Sequence, residues 1–470
     1  MRRLLIGLIL LFYGSYVINA QVNVEALPVF LHSNCLKHAA VSFNIVDLST
    51  GESCVAWNEN QSLTPASTMK IVTTATALDV LGENFRYETD VVYDGDIEDS
   101  VLRGNIYVKG VGDPTLGSEY IEKGKTDFLH NWVNAVRKAG IKSIAGNVIV
   151  LDSLFGYEGL PKRWLLEDIG NYYAPGIYGI SVFDNMYRAY LQSFSPGQNT
   201  TFLRSDPILK GVHFNNEIKA GRFDGDSAAI FGLPFSTERR LYGTISPRSK
   251  AFMLRGDIPD PGLCLANYFV DYLRANGISV NGEATTYRIS RQFPVREKQI
   301  TVTYSEPLSS IIRITNVRSN NHYAEHLFQR LQNVDFVSIT DYWKKKGVDS
   351  SALFMYDGSG LSPSNALSAG FLTDLLKYQY EKEGDSGAFY QSLPVAGKEG
   401  TVAAFLKNTS LVGSVRLKSG SIAHVQAYAG YIEKGEKRYA FAIIVNNFSG
   451  KRAELRKQIE RLFVSLFADN

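Results

Sequence analysis

The sequence predicts an α+β fold: an antiparallel sheet flanked by helices, built from the two ends of the chain, with a mostly β insertion between them. Three observations point there. Near the N-terminus, two strand-like runs at 40–48 and 53–58 flank the turn Ser49-Thr50-Gly51-Glu52 and are followed at once by a helix-start signal. From about Phe85 to Arg288 the texture changes to short strands and Gly-rich turns, such as 105–110, 146–151 and 251–254. The last third then regains helix–strand alternation and ends in Leu455, Ile459, Leu462 and Leu466, one apolar helix face.

These shifts divide the chain into a segment 1–20, a core from 21–86 and 289–470, an accessory domain from 87–190 and 250–288, and a second insert, 191–249, nested in the first. The 193–247 stretch is polar, rich in Phe, Gly and Ser, and weakly periodic. No internal repeat is evident.

Segment 1–20 carries Arg2 and Arg3, an apolar run at 4–17, and Ile18-Asn19-Ala20 ahead of Gln21. This is the pattern of a cleaved signal peptide. A retained anchor is the rival, but the run falls short of the ~20 residues that span a bilayer. The expectation is an exported, periplasmic protein with at most peripheral membrane contact. Of its 470 residues, 45% are apolar and 20% charged, and the net charge is +2 with no long single-sign run. That composition builds a substantial core and argues against nucleic acid as a partner. Cys35, Cys54 and Cys264 allow one disulfide and a leftover thiol, but the hairpin sets Cys54 opposite about Asp47, out of reach of Cys35. The three are read as buried thiols.

Thr64-Pro65 reads as an N-cap followed by Pro at the first helical position, with Met69, Val72, Ala75 and Leu78 at helical spacing and Gly82 ending the run. Ser67 then lies in the first turn, where unpaired N–H groups and the dipole favour negative charge. Lys70, three residues on, shares its face; desolvated against the helix, it could take the serine proton. A S-x-x-K match by itself is weak, since a Ser near a cap and a surface Lys spell the same letters.

Two further elements share that character. Ser319-Asn320-Asn321 opens a helix through Tyr323, Ala324, Leu327 and Leu331, offering a hydroxyl for proton relay and an amide for substrate; an ordinary polar cap is the plain alternative. Lys418-Ser419-Gly420-Ser421 falls in an apparent strand at 415–423. There Lys418 offers charge to a carboxylate and Gly420 clears the strand edge, while the Ser421 N–H could join that of Ser67 as an oxyanion hole.

Taken in this order, S-x-x-K, S-x-N and K-[T/S]-G form the set of the penicillin-recognising serine enzymes. The chain resembles the D-alanyl-D-alanine carboxypeptidase/endopeptidases of the penicillin-binding protein 4 type. The resemblance extends to 110–116 (G-V-G-D-P-T-L), 357–362 (D-G-S-G-L-S), 393–397 (L-P-V-A-G) and the long insertion after the first motif. It implies a serine β-lactamase-like transpeptidase domain with no metal or organic cofactor, peptidoglycan peptides as substrate, and β-lactam antibiotics as covalent inhibitors.

The resemblance also implies roles. Ser67 is the nucleophile, Lys70 the base and Ser319 the proton relay. Asn321 would hold the substrate amide, and Lys418 and Ser419, with Gly420 and Ser421 beside them, would bind the substrate and its terminal carboxylate. Asp152 matches a position that in some members recognises the amino end of the stem-peptide side chain, with a turn residue as the alternative. Asn320 stands where Asp is often found and Ser419 where Thr is commoner.

Two decoys compete. His322-Tyr323-Ala324-Glu325-His326 spells a zinc-protease signature, but it overlaps the S-x-N element and leaves Ser67, Lys70 and Lys418 unexplained. Gly384-Asp385-Ser386-Gly387 resembles the nucleophile loop of chymotrypsin-like proteases, but follows a hydrophilic run and reads as a solvated loop. Functional rivals are a β-lactamase, which needs a dedicated base for the deacylating water, and a non-catalytic peptidoglycan-binding protein.

Overall fold

In a computed structural model, residues 22–121 and 124–468 are described; the expected signal segment and its cleavage point lie outside them. A five-stranded antiparallel sheet runs in the order Ser53–Trp57, Ala40–Asp47, Lys437–Asn446, Val425–Lys434, Val415–Ile422. Both ends of the chain therefore build one sheet, with Ile45 opposite Phe441 and Lys418 opposite Ala429.

Its central strand explains the layering. Tyr439 through Asn446 are buried without a break, because helices cover both faces. Side chains still alternate by face. Phe441, Ile443 and Val445 pack with Leu455, Ile459 and Phe463 of the C-terminal helix Arg452–Leu466. Ala440, Ala442 and Ile444 face Met69–Leu81 and Ala369–Glu383, joined by Ala427 and Ala429 of the next strand. The small residues gather on the side where the helix Met69–Leu81 comes close. That helix is buried all round from Met69 to Leu78; Thr74 donates back to Lys70 O at 2.6 Å and Thr76 to Val72 O at 2.7 Å, whereas Thr73 reaches across to Gly358 O at 2.6 Å.

The insertion has its own core. A five-stranded sheet runs Ala284–Thr286, Val148–Leu151, Ile106–Lys109, Glu88–Tyr93, Lys298–Tyr304. Lys298–Tyr304, expected with the second half of the core, thus pairs within the insertion's sheet. Two helices also belong here, Asp127–Lys138 and Pro261–Ala275, in a region read as strand-rich. The second opens at Asp260-Pro261, a start the sequence reading did not pick up: the Asp260 carboxylate caps Leu263 N at 2.9 Å and Pro occupies the first turn. The polar 193–247 stretch supplies further short strands, among them Thr201–Asp206 and Glu238–Tyr242. All three cysteines are free thiols. Only Cys264 is buried; Cys35 and Cys54 are half-buried, a departure from the expectation of three buried thiols.

Candidate active site

Ser67 enters the site differently from the sequence reading. Thr64 does not cap the helix; its hydroxyl donates to Pro363 O at 3.3 Å. The chain instead makes a tight 3-10 turn, Ala66–Thr68, before the α-helix Met69–Leu81 begins. Ala66 is forced to φ 48°, and Gly360 lies so close that a Cβ there would sit 1.9 Å from Ala66 O. Ser67 is held at the positive end of the helix by this turn and not by a side-chain cap.

Lys70 is fully buried and three-fold engaged. Its Nζ lies 3.0 Å from Ser67 Oγ, 2.6 Å from Asn321 Oδ1 and 2.6 Å from the Ser359 carbonyl. Desolvation brings its pKa down to about 7, while the negative charges of Glu325 and Asp357 act the other way. A lysine so placed is neutral in a substantial fraction of molecules near neutral pH, as a proton acceptor must be.

Ser319 and Asn321 are aimed by a break between two helices. Leu308–Arg318 ends at Ser319 in a left-handed conformation (φ 53°), and Asn320 caps Asn321–Asn333 by accepting from Tyr323 N at 3.0 Å. Lys418, fully buried on the edge strand, donates to Ser319 Oγ at 2.9 Å and to Ser419 O at 2.6 Å. Burial and the nearby Lys70 charge push its pKa well below the ordinary lysine value. Asn321, expected to hold a substrate amide, already clasps Lys70 with its oxygen and donates to Tyr173 O at 2.7 Å.

Gly420 lets the edge strand close on the Ala66–Thr68 turn: a Cβ there would lie 2.5 Å from Pro65 O, 2.9 Å from Thr68 N and 3.0 Å from Ser67 N. Ser67, Ser319, Asn321, Ser419 and Ser421 open onto one groove of about 800 Å³. Ser419 Oγ shares a hydrogen bond with Thr401 Oγ1 at 2.8 Å. Asp152 is not among the residues that line the groove; its carboxyl accepts from Tyr157 OH at 3.0 Å and Arg288 N at 3.2 Å, and burial raises its pKa. The acidic wall of the groove is formed by Glu167 and Asp168, beside Tyr173. These, with Ser359 and Thr401, are the contributions the sequence reading missed. Ser359 was in view only as part of D-G-S-G-L-S; the others carried no motif.

The H-x-x-E-H letters do not converge on one point. His322 and His326 face the insertion, where Ser181 Oγ lies 2.8 Å and 3.5 Å from their Nε2 atoms, whereas Glu325 turns to the backbone N–H groups of Gly358 and Ser359. Among the described residues no group of three or more His, Cys, Asp or Glu is placed to hold a metal, and no helix is long and apolar enough to cross a membrane.

Known proteins share this architecture. The D-alanyl-D-alanine carboxypeptidase of Actinomadura sp. (strain R39) is 26% identical over 91% of this chain and 81% of its own length. The D-alanyl-D-alanine carboxypeptidase DacB of Haemophilus influenzae is 23% identical over 93% and 92%. The crystal structure of penicillin binding protein 4 from H. influenzae superposes with a TM-score of 0.81 at 23% identity, covering 95% of this chain and all of that one, which establishes the penicillin-binding protein 4 fold. The model of the D-Ala-D-Ala carboxypeptidase 3 (S13) family matches residues 24–466, nearly the whole described chain, and the protein belongs to that family.

Proposed function

We propose that the protein is a serine-type D-Ala-D-Ala carboxypeptidase, with endopeptidase activity on cross-links, that acts on peptidoglycan stem peptides through an acyl-enzyme on Ser67. The observation that carries this reading is the placement of two buried lysines, each on a hydroxyl that opens onto the groove: Lys70 on Ser67 Oγ and Lys418 on Ser319 Oγ. Each hydroxyl has its own proton partner, as acylation and leaving-group protonation require.

In this mechanism neutral Lys70 takes the proton as Ser67 Oγ attacks the carbonyl between two D-alanine units. The missing side chain at Gly420 lets the edge strand lie against Ser67 N, so in this mechanism the Ser67 N–H and that of Ser421, next along the strand, receive the oxyanion. Ser319, fed by Lys418, gives a proton to the departing amine. The terminal carboxylate lies on Lys418 and the Ser419–Thr401 hydroxyl pair. Water then attacks the acyl carbonyl, Lys70 returns its proton to Ser67 Oγ as the ester bond breaks, and the protons shed by the water restore Lys418 and leave with the products. Glu167 and Asp168 give their part of the groove a negative potential suited to the amino group of a stem-peptide side chain.

A β-lactam presents an equivalent carbonyl and carboxylate, so penicillin acylates Ser67 and is released slowly. Penicillin binding protein 4 of H. influenzae, which shares the fold, has been crystallised in complex with a β-lactam, in keeping with this. The substrate and the N-terminal pattern together support a periplasmic location. The test is mass spectrometry of purified muropeptides incubated with the enzyme. Loss of a terminal alanine and resolution of cross-linked dimers are expected, both blocked by prior penicillin; unchanged muropeptides would refute the reading.

A further inference from the structure

Behind Lys70 lies a buried carboxylate pair for which the proposed mechanism has no use. Glu325, one turn beyond Asn321, is completely buried, as is Asp357. Two consecutive peptide units span the gap from these carboxylates to the nucleophile helix. In Gly358–Ser359, the N–H donates to Glu325 Oε1 at 2.8 Å and the C=O accepts from Thr73 at 2.6 Å. In Ser359–Gly360, the N–H donates to Asp357 Oδ1 at 2.7 Å and the C=O accepts from Lys70 Nζ at 2.6 Å. Glu325 Oε2 takes the N–H of Gly358 at 3.1 Å, so both of its oxygens hold the loop. The loop cannot drift inward: a Cβ on Gly358 would meet Phe328 Cβ at 2.5 Å and Ala324 O at 2.6 Å.

Resting on the reading of Lys70 as base, we propose that Glu325 is a positioning residue for acylation: it clamps the 357–360 loop so that the Ser359 carbonyl fixes Lys70 Nζ against Ser67 Oγ.

The surrounding groups define the sign. Lys70 is faced by Glu325 from its helix, Asp357 from the loop, and Lys418 from the edge strand. His322 and His326 share the helix of Glu325 but turn to Ser181, and burial keeps both pKa values low, that of His326 at about 4. Trp164 contributes an uncharged N–H to Asp357 at 2.9 Å. Burial, with the Asp357 charge beside it, pushes the Glu325 pKa up to about 8, while the two backbone N–H groups on its oxygens favour the carboxylate; as an anion Glu325 favours the ammonium form of Lys70, opposing burial. Without that charge, Lys70 becomes neutral at lower pH.

The experiment is the pH profile of acylation by a fluorescent penicillin in wild type, Glu325→Gln, Glu325→Asp and Thr73→Val, with folding checked by circular dichroism. In Glu325→Gln the acid limb should move down by about one pH unit and the plateau rate should fall about tenfold or more, because an amide N–H then faces a backbone N–H. Thr73→Val loosens the same loop without changing charge, so its rate should fall with the limb in place. Glu325→Asp keeps the charge and should behave likewise; if Glu325→Gln does not fold, a plateau rate at the wild-type level in Glu325→Asp overturns the proposal. A folded Glu325→Gln whose plateau rate stays at the wild-type level also overturns it, whether or not the limb moves. Failure of wild type to label at Ser67 would instead remove the base assignment itself.

Discussion

Replacing Gly420 with alanine places a methyl group where there is no room for one. The new Cβ meets three backbone atoms of the nucleophile turn, the nearest being Pro65 O at 2.5 Å, and no flexible side chain is there to yield. Restoring ordinary contact, which starts at 3.4 Å, means separating strand and turn by about 0.9 Å. Oxyanion donors work within about 2.7–3.1 Å of the developing charge, so such a retreat takes the Ser421 N–H out of range. Loss of one donor lowers acylation by roughly 10²- to 10³-fold, about 2.7–4 kcal/mol. The overpacking also costs about 1–3 kcal/mol of stability. The assay is the second-order rate of labelling by a fluorescent penicillin, on protein shown to be folded. A folded Gly420→Ala enzyme within about threefold of wild type would mean the strand does not supply an oxyanion donor.

Other outcomes follow from the same geometry. The wild-type acylation rate should rise with pH through about 7 as Lys70 loses its proton, and a profile flat from pH 5 to 9 would contradict its role as base. Asn320→Ala removes the cap on Tyr323 N and should cost about 1 kcal/mol in urea unfolding, with the acylation rate reduced because Ser319 and Asn321 flank it. A metal chelator should leave penicillin labelling unchanged, since the two histidines and Glu325 point apart; loss of labelling would revive the zinc reading.

The parts of the site legible in the sequence were those whose chemistry is local. Ser67 with Lys70, Ser319 with Asn321, and Lys418 through Ser421 each sit within a few residues on one element, and the fold draws them around one groove. What escaped was carried by backbone or by distant chain. Ser359 acts through its carbonyl, which no side-chain pattern encodes. Thr401 and Tyr173 reach the site only through tertiary packing. Asp152 and Asp168 are both acidic residues in the same insertion, and only the path of the chain shows that Asp168 lines the groove.

The fold followed the same division. The two-ended sheet was readable because its inner strands are strongly apolar, as at 443–445, and its terminal helix carries Leu455, Ile459, Leu462 and Leu466 on one face. The helix start at Thr64 was misread because tertiary contacts from Pro363 and Gly360 impose a 3-10 turn that local capping preferences do not foresee. Lys298–Tyr304 was placed on the wrong side of a boundary because its partner strand lies about two hundred residues earlier.

The central claim is that Ser67 is the residue acylated. Intact-protein and peptide mass spectrometry after brief exposure to penicillin tests it most directly. A single adduct is expected, carried on the peptide containing Ser67 and absent from Ser67→Ala; an adduct on another residue, or one that survives that substitution, would contradict it.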